Sequence, residues 1–180
     1  LGDVYKRQLL CKFDGQRVTM ASQIAGADET VSSLYSVKSE QATMLSFDTY
    51  NYLVHYFGQP QGSMADDPNG TLGGDYEFVI SDATADRIEL KGKKYGNRIV
   101  MKAFSADQTW KQYLTRIKKV EDDAFFYEYD LRMDGLYTGQ MLRSNYTFIV
   151  TYYDEVGKVH QKTVSFMFTT DGMRFHEPVT

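Results

Sequence analysis

Along most of the chain apolar and polar residues alternate, the two-residue period of strands with one buried face. "LLCKFDGQRVTMASQ" reads as a hairpin turning at Asp14-Gly15, with Val18 and Met20 on one face. "VSSLYSVKS" follows as a strand with "TMLSFD" as its partner. "DYEFVIS" sets Tyr76, Phe78 and Ile80 against Asp75, Glu77 and Ser81. "RIELKG" and "NRIVMKAF" pair around "KKYGN", with Ile88, Leu90, Ile99 and Met101 facing in. Further on, "YEYDLRM" places Tyr127, Tyr129, Leu131 and Met133 opposite Glu128, Asp130 and Arg132. Asp134-Gly135 turns it into "GQMLRS". "YTFIVTYYDE" turns near Gly157 into "KVHQKTVSFMFTT", and Asp171-Gly172 leads into "MRFHEPV".

Two stretches break the alternation. After Phe47, Tyr50, Leu53, Val54 and Phe57 recur at i, i+3, i+4 and i+7, the stripe of a helix that ends at Gly58 and Pro60. Asp48 or Thr49 would cap its start, because a short side-chain oxygen accepts from the open first-turn amides. Tyr50 and Phe57 then point inward, and Asn51, Tyr52, His55 and Tyr56 lie toward the other face. The second helix, in "SADQTWKQYLTRIKKVEDD", carries Trp110, Tyr113, Leu114, Ile117 and Val120 on one stripe. Burying each large apolar side chain is worth roughly 1.5–3 kcal/mol, so this stripe must dock. If the Trp110 ring is buried, Trp110→Ala should cost about 3–5 kcal/mol.

Composition supports the pattern. Among 180 residues, 14 Tyr and 11 Phe stand against 3 Pro, a strand-favouring balance. The net charge of −4 draws the chain toward neither nucleic acid nor an anionic membrane. Apolar runs stop at about four residues, far short of the roughly 20 that span a bilayer. One cysteine, Cys11, excludes an internal disulfide. Preceded by Leu9 and Leu10, it lacks the small residue that a lipid-attachment cysteine needs, and it reads as a buried strand thiol. No signal peptide is visible, and "GDVYKRQ" resembles a translated adaptor remnant, so residues 1–8 carry no functional reading. The missing initiator methionine fits a truncated chain.

Candidate chemistry is sparse. His55, His160 and His176 are scattered, and proline follows "HE" at His176, so no metalloprotease helix forms and no metal site is expected. "ADDPNGTLGGD" has the look of a calcium loop, but aligning Gly70 with the turn glycine leaves Ala65 and Tyr76 at the first and closing ligand positions. The basic stretch from Arg87 to Lys119 points its lysines outward and reads as a solvated face. Cys11 has no activating histidine nearby in sequence. Asn51, Tyr52, His55 and Tyr56 remain, beside the loop "GQPQGSMADDPNGTLGGD". Amide and aromatic groups there suit a sugar or another polar small molecule, or else pack under the loop or against the second region.

The blocks "LSFDTYNYLVHYFGQP", "GGDYEFVI", "IELKGKKYGNRIVMKAF", the Trp-led helix and "FTTDGMRFHEPV" resemble a family of uncharacterised Bacteroidota lipoproteins with a domain-of-unknown-function label. The likeness runs from about Phe13 onward. It implies a lipocalin-like antiparallel barrel with a further β-rich region, at the outer membrane or cell surface, often beside nutrient-uptake systems. It carries over no catalytic residue, and it implies a lipid-bearing N-terminus and a C-terminal continuation that this chain lacks.

The expected fold is therefore mainly β: a lipocalin-like barrel or curved sheet over 9–106, an amphipathic connecting helix over 107–126, and a partial second β unit over 127–180. The expected role is a non-catalytic accessory or binding module of the cell envelope. Its partner would be a glycan or a protein, with no nucleic acid, no cofactor, and membrane contact only through a lipid anchor. The alternatives are a hydrolase using His55 with a carboxylate from the Asp66–Asp75 loop, or a structural subunit of an uptake assembly.

Overall fold

The computed structural model describes residues 8–39, 41–58, 73–124, 126–134 and 136–178. The protein is mainly β, with two curled antiparallel sheets and two helices among the described residues. It forms two compact units, Leu1–Leu114 and Thr115–Thr180, and the division falls inside the second helix.

In the first unit every strand pairs with its sequence neighbour: β1 (Leu9–Asp14), β2 (Arg17–Ser22), β3 (Val31–Ser39), β4 (Thr43–Phe47), β5 (Glu77–Ala83), β6 (Arg87–Gly92) and β7 (Arg98–Lys102). The first hairpin turns one residue later than expected. Asp14 pairs with Arg17, leaving Gly15-Gln16 as the turn, and Gly15 takes φ 59°, which costs glycine nothing. The inner face gathers Val18, Met20, Leu45, Phe47, Phe78 and Leu90, and Ile88, Ile99 and Met101 pack against them. Tyr76, expected on that face, is 44 % exposed. It precedes β5 instead of belonging to it, and its carbonyl accepts the Phe47 amide at 3.1 Å.

Helix α1 (Tyr52–Gly58) adds Leu53 and Val54 to the same core, and Phe57 is buried too. Two expected placements reverse. Tyr50 is 61 % exposed, whereas Asn51 is fully buried. The reason is the start of the helix. Asn51, not Asp48 or Thr49, is the cap: its Oδ1 accepts the Leu53 amide at 3.1 Å, which leaves Tyr50 outside the helix. Asp48 and Thr49 serve β3, Asp48 donating its amide to the Leu34 carbonyl and Thr49 Oγ1 accepting the Leu34 amide.

Helix α2 (Trp110–Asp123) starts in a reciprocal cap. Thr109 Oγ1 accepts the Gln112 amide and Gln112 Oε1 accepts the Thr109 amide, at 3.2 and 2.9 Å. Its first turns set Trp110, Tyr113 and Leu114 on Leu10 and Ala21, the face of β1 and β2 opposite Met20. The Trp110 ring is half-buried, so Trp110→Ala should cost less than a fully buried tryptophan would. Gln8 belongs to this unit, accepting hydrogen bonds from Ser22 Oγ at its carbonyl and from the Tyr113 hydroxyl at its side chain.

The second unit holds β8 (Glu128–Met133), β9 (Leu136–Ser144), β10 (Thr147–Tyr153), β11 (Val159–Thr169) and β12 (Gly172–Phe175), in the order β12-β11-β10-β9-β8. Met141, Phe148, Val150, Val164, Phe166 and Phe168 are buried. Tyr129 and Leu131 are partly buried as expected, but Tyr127 and Met133 are 68 % and 49 % exposed. Tyr127 precedes β8, and Met133 lies beyond a register shift at Leu131/Arg132. The last hairpin turns at Thr170-Asp171, because Thr169 pairs with Gly172. Gly135, placed in the β8–β9 turn, lies outside the described residues.

Candidate functional site

The sequence groups Asn51, Tyr52, His55 and Tyr56, and the structure gives the first three separate roles. Asn51 is fully buried. Besides capping α1, its Nδ2 donates to Ser33 Oγ at 3.1 Å, so the amide fastens the helix to β3. A buried amide engaged at both ends has little left to offer a ligand. Tyr52 is half-buried and donates its hydroxyl to Glu29 in the β2–β3 loop. Burial, then the adjoining Glu29 carboxylate, pushes the Tyr52 phenol up to about 12. The Tyr56 side chain lies outside the described residues, as do 59–72, which carry most of the long Gly- and Asp-rich loop, with the carboxylates Asp66 and Asp67.

His55 is different. Its Nδ1 faces the Asn51 backbone, 2.9 Å from the carbonyl oxygen and 3.2 Å from the amide nitrogen. Its ring contacts two tyrosines, 5.1 Å from Tyr50 at 41° and 5.2 Å from Tyr76 at 14°. His55 is thus stacked on Tyr76 and tilted against Tyr50, and both tyrosines are exposed. Neither tyrosine was expected there. Reading Asn51 as the cap would have placed Tyr50 outside the helix.

The last carboxylate of the long loop, Asp75, is buried and accepts the Lys94 and Tyr95 amides at 2.7 and 3.1 Å and Asn97 Nδ2 at 3.0 Å. A Cβ on Gly92 would collide with that carboxylate, and one on Gly74 with Phe57. The "GGDY" and "GKKYGN" blocks thus lock two loops together, and Gly74 donates its amide to the Phe57 carbonyl at 2.9 Å. These contacts give Asp75 an architectural role.

Elsewhere the basic stretch is laced with partners: Lys93 with Glu77, Arg98 with Glu89, Lys111 with Asp28, Lys119 with Asp123. An open groove of about 490 Å³ runs past Gln16, Leu34, Tyr35, Ser36, Val37 and Asp48. The Ser36 and Ser46 hydroxyls near its carboxylate, with Lys38 beyond them, hold Asp48 below the usual carboxylate range. In the second unit His160 Nε2 meets Asp154 Oδ2 at 2.8 Å under the stacked ring of Tyr152. Burial pushes the Cys11 thiol up to about 12, which removes its nucleophilic form at neutral pH.

These features define an antiparallel β protein whose inner faces hold its own side chains, with an aromatic–imidazole stack at the surface. Over residues 6–180 the chain matches the family described as a domain of unknown function, DUF4302, and it belongs to that family. No curated protein and no solved structure matches it.

Proposed function

We propose that this domain is a non-catalytic binding module of the cell envelope, an accessory to nutrient uptake that contacts a glycan or a protein partner. In this reading it is part of a Bacteroidota lipoprotein held at the membrane by an attached lipid. No helix among the described residues is long and apolar enough to cross a membrane, which is compatible with a lipid-held module.

The observation that carries the reading is the surface cluster of Tyr50, His55 and Tyr76, set beside an inner face filled by Leu53, Val54, Phe78 and Leu90. A small curled sheet filled this way offers its rim and outside to partners, not its interior. A thermal-shift screen against a glycan panel tests it. A ligand at about a hundred times its Kd adds roughly 2.7 kcal/mol and raises Tm by several degrees. No shift with any glycan, and no complex with a protein encoded beside it, would remove the support.

A further inference from the structure

We propose that the outer edge of β7 is a docking site for an extended, acidic segment of a partner protein, added antiparallel to the seven-stranded sheet as one more strand. The assignment rests on reading the domain as a binding module and names the kind of protein that one place on it takes.

The ladder shows which backbone groups of β7 are open. β7 ends the strand order, and among the described residues β6 is its one strand partner. Gly92 donates its amide to the Asn97 carbonyl at 2.8 Å, and Ala103 donates to the Asp86 carbonyl at 3.0 Å. In this register Asn97, Ile99, Met101 and Ala103 turn their backbone toward β6. Arg98, Val100 and Lys102 turn theirs away, and among the described residues no strand takes up those amides and carbonyls. Such a row is a template for another strand. The same three residues are exposed, Val100 by 40 %.

The side chains select what pairs there. Residues opposite each other in the ladder share a face, so Arg98, Val100 and Lys102 lie outward with Lys91, Glu89 and Arg87. On the outer face of these two strands four cations stand against one carboxylate. Glu89 is already held by Arg87 and Arg98, and among the described residues no carboxylate pairs with Lys91 or Lys102. A second copy of β7 laid antiparallel about Val100 would set Arg98 against Lys102 twice, and like charges directly opposite destabilise a pair. An acidic strand reverses the sign, with carboxylates opposite Arg98 and Lys102 and a β-branched residue opposite Val100. Its intervening residues fall on the inner face beside Ile99 and Met101, which are partly buried, so apolar side chains suit them. The matching pattern is acidic, apolar, β-branched, apolar, acidic.

The test is NMR and amide exchange on the whole chain with end-blocked peptides at up to about 1 mM. They are Glu-Val-Thr-Ile-Glu, its counterpart Lys-Val-Thr-Ile-Lys, and the first peptide N-methylated at Thr or at Ile. In the free chain the Val100 and Lys102 amides should exchange at least about tenfold faster than those of Ile99 and Met101. The Glu peptide should shift the Val100 and Lys102 signals saturably and slow their exchange. The Lys peptide should bind at least about fivefold more weakly, and so should the Glu peptide with Lys102→Glu. Methylation at Thr, whose amide faces β7, should weaken binding as much; methylation at Ile, whose amide faces away, should not. Slow exchange of Val100 in the free chain would show an edge already covered and overturn the site. Absence of any shift along β7 with the Glu peptide overturns it as well. Equal binding of the Lys peptide overturns the charge selection, and equal binding of the Thr-methylated peptide overturns strand addition. A glycan or a protein that binds while the Val100 signal stays still overturns the β7 site and leaves the wider reading standing.

Discussion

In the first sheet the inner face is filled by a helix as well as by strands: Leu53 and Val54 of α1 lie among Val18, Met20, Leu45 and Phe78. In the second, the strands supply aromatic rings that stack on each other. Phe148 and Phe166 lie 4.7 Å apart, Phe166 meets Phe168 at 5.3 Å, and Tyr146 and Phe175 lie alongside. The polar fittings differ as well. The first unit ties its helix down with the buried amide of Asn51. In the second, Arg143 lies 5.1 Å over Phe168 and donates to the Ala124 carbonyl at 2.8 Å, joined there by the Tyr129 hydroxyl at 2.9 Å. A neutral amide suits a dry interior, whereas a guanidinium over ring faces keeps its charge at the margin, where desolvation costs less.

The contrast is sharpest in the cores. Phe166→Ala should destabilise the second unit by about 3–5 kcal/mol, at the upper end because so many ring contacts go with it. Phe78→Ala, whose ring neighbour Phe47 lies 6.2 Å away, should fall lower in that range. Chemical denaturation of both variants checks the order; equal losses would mean that ring stacking adds nothing beyond burial.

Two glycines come next. A Cβ at Gly139 would strike the Thr151 carbonyl and the Tyr152 backbone, which the β9–β10 pairing holds in place. At Gly92 the obstacle is the Asp75 side chain. Overpacking costs about 1–3 kcal/mol, and the backbone obstacle should put Gly139→Ala at the upper end. Gly92→Ala should instead release the Lys94 and Tyr95 amides to exchange, measured by NMR.

Helix caps give smaller effects. Asn51→Ala removes a cap and leaves Ser33 without its donor, a loss of about 1–3 kcal/mol. Thr109→Ala opens an exposed cap and should cost about 1 kcal/mol or less, read from the same denaturation curves. Smallest is the Asp154 turn. Its carboxyl is held below the usual range, chiefly by His160 and then by the Lys158 amide. Because the folded value is depressed, this stabilisation is present above the ordinary aspartate range and fades as pH falls through the depressed value. An NMR titration of the Val156 and Lys158 amides should inflect below that range, and His160→Ala should move the inflection up.

How much was legible follows from how each signal arises. Val18, Met20, Phe78, Leu90 and Met101 were placed inward by period two alone, because a strand's alternation is local. The α2 stripe was equally plain, and Leu114 and Ile117 are both buried. What failed were the ends of elements. Tyr50 and Tyr76 each lie one or two residues outside the element whose period was extended to them, so the exposed stack was concealed by the rule that found the core. The burial of Asn51 depends on Ser33, eighteen positions away in the chain, and no window of sequence contains that partner.

The most direct test of the filled first sheet is titration with a fluorescent apolar acid such as cis-parinaric acid. Wild-type protein should show no saturable one-to-one binding, and Leu53→Ala, which opens space at the centre of the core, should gain it. Stoichiometric binding by the wild type, abolished by Leu53→Trp, would show an open interior and contradict the account.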